Sequence, residues 1–315
     1  MRPALPALAA AVAVCLAGAV VTGCSAAPPA GHVRARHHKP PASYYLALGD
    51  SLSQGVQPDS SGASVKTPDG YASQLYTVLR KDDPGLRLTD LGCPGETTTT
   101  MIHGGICSYR DKSQLAAAVG FLRAHQGHVV LITVDIGAND INSCTEHPSL
   151  VEFVPCLSKS EAGSSANLTT IMAALRPVAG HARIIGMNYY LPELAEWRSG
   201  FLGEMFARLA EAAAAHYNNV LTAVYQRFGA HIADVFGAFH TSDFGNAVTL
   251  PGFGRLPRNV AAICQWTWQC AAPPRGPNQH ANQAGYAVIA HAFLLAGAAV
   301  THPAGLPGEA AAAAP

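Results

Sequence analysis

A serine stands two positions after the glycine that ends an apolar run, Tyr44-Tyr-Leu-Ala-Leu-Gly49-Asp50-Ser51. Such a run reads as a buried strand, and the tight turn after it lifts Ser51 out of the sheet. In open α/β folds, ligands bind at the carboxyl ends of the strands, so a hydroxyl there is placed for nucleophilic attack. A serine hydroxyl is weak at neutral pH and needs a base. Pro277-Asn-Gln-His280, just before a helix beginning around Gln283, supplies an imidazole. Two other segments, each after a strand, offer hydrogen-bond donors. Gly92-Cys-Pro-Gly95-Glu-Thr-Thr is a glycine-rich turn whose backbone N–H groups can hold an anion. Asp135-Ile-Gly137-Ala-Asn139-Asp140 adds a side-chain amide.

The elements that must position these residues alternate. Strands are expected over Tyr44–Leu48, Leu86–Leu91, His128–Val134, Ala182–Met187 and His231–Val235. The third is apolar on both faces, as for a strand covered by helices on each side. Between them lie helical patterns over Tyr71–Lys81, Ser113–His125, Ala166–Leu175 and Phe201–Phe228, with Ala284–Ala298 after the last. Strands alternating with helices imply parallel βαβ units and a three-layer α/β/α sandwich. The catalytic candidates then fall at strand ends.

The N-terminus reads as a leader. Arg2 precedes an apolar run from Ala4 to Val21 that ends in Val21-Thr22-Gly23-Cys24. A charged start, an apolar stretch and small residues before a cut site describe an export signal. The small residue before Cys24 resembles a bacterial lipobox, after which Cys24 would carry lipid and anchor the chain to a membrane. Residues 25–42 form a proline-rich linker that could extend about 50 Å, at about 3.1 Å per residue. The folded part is expected over 43–302, followed by a flexible Ala/Pro/Gly tail at 303–315. Formal charge is zero and 13% of residues are charged. With no basic block and no aromatic-plus-basic pattern, nucleic acid is not expected as a partner.

Of eight cysteines, Cys15 leaves with the signal and Cys24 is the lipid candidate. An even remainder in an exported chain argues for disulfides. About 15 pairings are open. Each neighbouring pair brackets a Gly, Pro or polar loop, so Cys93–Cys107, Cys144–Cys156 and Cys264–Cys270 are expected. No spacing matches a zinc site, and no metal is expected.

Taken in order, the motifs resemble the SGNH/GDSL hydrolase family. They are Gly49-Asp50-Ser51-Leu52, Gly95, Gly137-Ala138-Asn139-Asp140, and His280 with Gly285-Tyr286 following. The resemblance spans residues 44 to 295. The cysteine layout and the Gly92-to-Tyr109 segment are most similar to secreted actinobacterial members. It implies a flavodoxin-like sheet of five parallel strands and an esterase or lipase acting on ester or lipid molecules without a cofactor. It further implies Ser51 as nucleophile, His280 as base, and an oxyanion hole of Ser51 N–H, Gly95 N–H and the Asn139 side chain. Asp140 would orient its own loop.

One position departs from the family pattern. Asp usually stands three residues before the histidine, and here that residue is Pro277. Some other group must hold the imidazole Nδ1–H, because the tautomer depends on it. The backbone carbonyl of Pro277 is the first expectation, the Asn278 side chain the second and Asp243 a remote third. His125, His181, His216 and His291, in or beside helices, are expected at the surface, whereas His103 could line a cleft. Phe239, Phe244, Phe253, Trp266 and Trp268 either wall an acyl pocket or are buried within their own long loop. The same site could serve a phospholipase or acyltransferase, and a lipoprotein binding a ligand without catalysis is the competing class.

Overall fold

The computed structural model describes residues 42–142, 144 and 150–301. The leader with Cys24, the linker up to residue 41 and the tail from 303 lie outside the described residues. In chain order the first half carries β1 (Tyr44–Gly49), β2 (Gln57–Pro58), β3 (Ser64–Val65), α1 (Tyr71–Leu79), β4 (Arg87–Asp90), α2 (Thr98–His103), α3 (Gln114–Ala124), β5 (Val129–Asp135), α4 (Ala138–Asn142) and α5 (Leu150–Leu175). Then come β6 (Arg183–Met187), a 3₁₀ segment (Pro192–Ser199), α6 (Phe201–Arg227), β7 (His231–Ala233), α7 (Val235–Ala238), β8 (Ala247–Leu250), β9 (Gly254–Pro257), α8 (Arg258–Trp266), β10 (Thr267–Trp268), β11 (Asn278–Ala281) and α9 (Gln283–Thr301).

Five strands form one sheet in the order β4-β1-β5-β6-β7, with every pair parallel. This is the expected flavodoxin-like α/β/α sandwich. The chain steps from β1 to β4 on one side, then to β5 on the other. The connections diverge there and leave a crevice at the carboxyl ends of β1 and β5. Register at that edge pairs Leu48 with Val134 and Gly49 with Asp135, so Ser51 and Asn139 leave the sheet side by side.

The core follows from the apolar runs. Tyr45 through Leu48, Ile132 and Val134 are buried, while Val130 is half exposed. On one face, the Tyr71 hydroxyl of α1 reaches Thr133 and Asp135, and its ring stacks on Phe293 of α9 at 4.6 Å. On the other face, Gly186 of β6 leaves room for the Tyr225 ring of α6, which a Cβ there would strike.

Local signals start the helices that flank the site. Thr97 and Thr100 form a reciprocal capping box on α2, and the Ser113 hydroxyl accepts from Ala116 N–H to cap α3. The expected helix at Ala166–Leu175 is the end of the longer α5. The segment from Phe236 to Gln269, expected as a loop, holds α7, the β8–β9 hairpin, α8 and β10. Among the described residues, no helix is long and apolar enough to cross a membrane.

Candidate active site

Ser51 and His280 meet although 229 residues separate them: His280 Nε2 lies 2.9 Å from Ser51 Oγ. β1 delivers the serine. Gly49, at φ 146°, makes the turn beside Asp135, and a Cβ there would collide with that side chain. The buried Gln114 side chain clamps the turn, accepting from Gly49 N–H at 2.7 Å and donating to its carbonyl at 2.9 Å. The two-residue β10–β11 ladder carries the histidine, with Thr267 opposite Ala281 and Trp268 opposite Asn278. A disulfide from Cys264 in α8 to Cys270 just beyond β10 ties down this ladder.

The imidazole is held by Asn278, not by the expected carbonyl of Pro277. Asn278 Oδ1 accepts from His280 N–H at 3.0 Å and sits 2.8 Å from Nδ1. A short polar side chain two residues upstream folds back on its own backbone in this way, bringing its oxygen within reach of the ring. Its amide nitrogen donates to Ser64 Oγ at 3.3 Å, which sets the oxygen toward the histidine. Nδ1 then carries the proton, leaving Nε2 free to accept one from Ser51. Burial pushes the imidazole down to about 4, so it is neutral at physiological pH. Asp243 instead accepts from Asn246.

Backbone donors lie on the turns that follow β1 and β4. Neither Ser51 N–H nor Gly95 N–H has an acceptor among the described residues. Gly95 sits at φ 82°, a conformation that only glycine adopts without strain. Its turn is held on three sides. The Cys93–Cys107 disulfide closes one, Asn139 Nδ2 donates to Glu96 O at 2.9 Å, and Asp140 accepts from Thr98 N–H at 2.9 Å. Asp140 therefore ties the β5 turn to the β4 turn rather than only orienting its own loop. Asn139 Nδ2 has one firm bond, to Glu96 O, and one long contact, 3.4 Å to Asp50 Oδ2, while Asn139 Oδ1 accepts from Asn142 Nδ2 at 3.3 Å. Only the contact with Asp50 would have to yield for the amide to face a ligand.

Behind Ser51 lies a buried acidic pair. Asp50 Oδ1 accepts from Leu52 N–H at 2.9 Å, and Asp50 N–H donates to Asp135 O at 3.1 Å. Burial drives the Asp50 carboxyl up to about 7, with the charges of Asp140 and Glu96 adding to it. Burial, and then the Asp50 charge, also raise the Asp135 carboxyl well above its ordinary value. Burial and mutual repulsion therefore both disfavour ionising the two carboxyls together.

Ser51, Asn139 and His280 open into a cavity of about 400 Å³ whose walls include Leu52, Ile141, Leu157, Leu191, Phe206 and Leu209. The wall comes largely from α6 and the Tyr189–Glu193 turn, not from the aromatics near His280. Those pack on one another or on neighbours: Phe239 against Tyr190 at 4.5 Å and Trp266 at 5.3 Å, and Phe244 against Trp197 at 5.2 Å. α6 holds more large apolar residues than one buried face needs, a signal present in the sequence. His103 is exposed and does not line the cavity. His181, His216 and His291 are exposed, while His125 is half-buried against Tyr44 and Phe121. The sulfurs of Cys144 and Cys156 are also bonded, and three disulfides are consistent with export to an oxidising compartment. Among the described residues, no group of three His, Cys, Asp or Glu could hold a metal.

The GDSL-like lipase/acylhydrolase family model matches residues 47–288. Several solved structures share the fold. Phospholipase A1 from Streptomyces albidoflavus NA297 is 17% identical, with a TM-score of 0.51 over 81% of this chain and 100% of that one. The extracellular lipase from Streptomyces rimosus is 18% identical, with a TM-score of 0.52 over the same shares. The lipase Lip_vut3 from a goat rumen metagenome is 16% identical, with a TM-score of 0.52 over 81% and 98%. No curated protein sequence matches the chain.

Proposed function

For a chain that belongs to the GDSL-like lipase/acylhydrolase family, we propose an exported serine carboxylester hydrolase with Ser51 as nucleophile and His280 as base. The observation that carries this reading is the 2.9 Å contact of Ser51 Oγ with His280 Nε2, beside an imidazole whose Nδ1 is already occupied by Asn278. Ser51 Oγ attacks the acyl carbon as its proton passes to Nε2. The carbonyl oxygen becomes an oxyanion facing Ser51 N–H, Gly95 N–H and the Asn139 amide. Removing one such donor costs about 10²–10³ in rate. The ester bond then breaks, the alcohol leaves with the proton from His280, and an acyl-serine remains. Water, giving its proton to His280, attacks that ester, and the acid departs as Ser51 recovers its proton.

The apolar cavity fits an acyl chain, since ligand sites of this size are mostly apolar with few polar groups. No step calls on a cofactor. A lipid anchor at Cys24 and a hydrolase domain over 43–302 belong to the same proposal. They rest on the sequence pattern. Mass spectrometry of the membrane fraction tests the anchor, and an unmodified N-terminus downstream of Cys24 would remove it.

Hydrolysis of p-nitrophenyl esters from short to long acyl chains tests the reaction. The wild-type chain should turn over, and Ser51→Ala should lose at least about 10³ of the rate, the usual consequence of deleting a nucleophile. Equal rates in both would overturn the assignment of Ser51.

A further inference from the structure

The cavity wall contributed by α6 does not end at the cavity. Phe206 and Leu209 line it and are also 48% and 61% exposed. Beyond them Phe201, Leu202 and Met205 are 74%, 76% and 55% exposed. Residues 201, 205 and 209, and likewise 202 and 206, recur at four-residue spacing and share one stripe of the helix. The same helix buries Gly203, Ala207, Tyr217 and Leu221 on its inner side. Soluble monomers rarely expose a contiguous apolar surface of this kind, and where they do it marks an interaction site.

The chemistry of the stripe narrows the partner. Phe201–Leu209 contains one acid, Glu204, and one base, Arg208, so it has no net charge. Arg208 lies over the Trp197 and Phe244 rings at 5.0 and 4.6 Å, turned to the 3₁₀ segment and not to the stripe. The α6 backbone groups are bonded within the helix, leaving no edge for an extended peptide. A second copy seated here would cover the mouth of the cavity. A lipid surface meets every condition, because it asks for apolar side chains alone and delivers acyl chains at the cavity mouth. Helices with an apolar face lie in the lipid interface in this manner.

We infer that the Phe201–Leu209 stripe docks on the surface of aggregated, uncharged or zwitterionic lipid, so that an acyl chain passes along Phe206 and Leu209 into the cavity without crossing water. The inference rests on the ester-hydrolase reading and deepens it: the substrate is an ester whose acyl chain is packed in a lipid assembly.

The test compares the exported chain carrying Cys24→Ser, which removes any attached lipid, with the same protein bearing Phe201→Ser, Leu202→Ser and Met205→Ser. None of the three lines the cavity. Each protein is assayed on dissolved p-nitrophenyl acetate, on a long-chain ester dispersed in phosphatidylcholine vesicles, and for co-sedimentation with those vesicles. The triple variant should keep the dissolved-ester rate within about twofold while losing about tenfold or more in vesicle rate and binding, the loss expected of an apolar docking face. Vesicle binding of the unaltered stripe should persist at high salt, because no charge pairing supports it. Equal vesicle rates and binding would overturn the proposal. So would a parallel loss on both substrates, which assigns the stripe to folding, or a dimer that the substitutions turn into a monomer, which assigns it to a second copy. Vesicle binding without hydrolysis of either ester would overturn the ester-hydrolase reading and leave the docking surface standing.

Discussion

Asn278 Oδ1 takes two hydrogen bonds from one residue, His280, through its backbone N–H at 3.0 Å and its Nδ1 at 2.8 Å. A neutral amide thus sits where a carboxylate orients the base in many serine hydrolases. Asn278 therefore sets the tautomer without adding charge. Replacing it with Ala should lower kcat by about 10- to 100-fold while KM changes little, since orientation of a general base is lost and the cavity is untouched. Asn278→Asp should restore most of that activity. Steady-state kinetics on one soluble ester decide the matter, and an unchanged kcat in Asn278→Ala would remove the positioning role.

The pH profile follows from burial of the same histidine. With the imidazole held down to about 4, kcat/KM should fall only as pH drops through about 4, far below the ordinary 6.5. In Asn278→Asp the new carboxylate favours the imidazolium, so the acid limb should move up by about 1 to 3 pH units. An acid limb near 6.5 in the wild-type chain would contradict this.

Asp50 predicts a stability trend of its own. Its carboxyl rises from 3.8 to about 7 on folding, so the folded chain keeps a proton that the unfolded chain releases near 4. Its contribution favours folding below that pH and is lost as pH climbs to about 7. The difference in unfolding free energy between the wild-type chain and Asp50→Asn should therefore shrink across this window, at about 1.4 kcal/mol per pH unit for one proton. Denaturant titrations at several pH values measure it. His280 shifts the opposite way but is present in both proteins and drops out of the comparison. A difference that does not vary with pH would show that Asp50 is ionised throughout.

Two glycines at strand ends should respond differently to alanine. At Gly95 a Cβ meets nothing within 4 Å, so Gly95→Ala costs only the left-handed backbone, about 1–2 kcal/mol. Tilting of the N–H should nevertheless reduce kcat by about 10- to 100-fold, as partial loss of an oxyanion donor does. At Gly49 the added carbon drives into Asp135, and Gly49→Ala should fail to give a folded protein. Circular dichroism and ester hydrolysis of both variants check this. A fully active Gly95→Ala would take Gly95 out of the oxyanion hole.

Much of this arrangement could be read from the chain itself. β1 and β5 are apolar runs closed by Gly49 or followed within two residues by Gly137, and such signals are local. Strand-then-helix alternation fixes a parallel sheet, and a parallel sheet puts the residues after its strands along one edge. That geometry places Ser51, Gly95 and Asn139 after strand ends, whereas the roles proposed for them come from the resemblance of their motifs to the GDSL pattern. The Gln114 clamp on Gly49 was not legible in the sequence, because a buried glutamine near a helix start has the same local pattern as a solvated one. Its role depends on α3 lying against the β1 turn.

The sequence by itself determined which residue types could do chemistry, the parallel α/β sandwich that carries them, and the strand ends where they emerge. Those properties depend on neighbours a few positions away, through periodicity and backbone preference. The tertiary structure alone decided that Asn278 rather than the Pro277 carbonyl holds the imidazole. It also decided that Asp140 bridges to Thr98, and that α6 instead of the nearby aromatics walls the cavity and carries its apolar stripe into solvent. Those outcomes depend on which segments distant in the chain share a crevice. Packing chooses among many side chains that satisfy the same local pattern, and only the folded chain brings the chosen ones together.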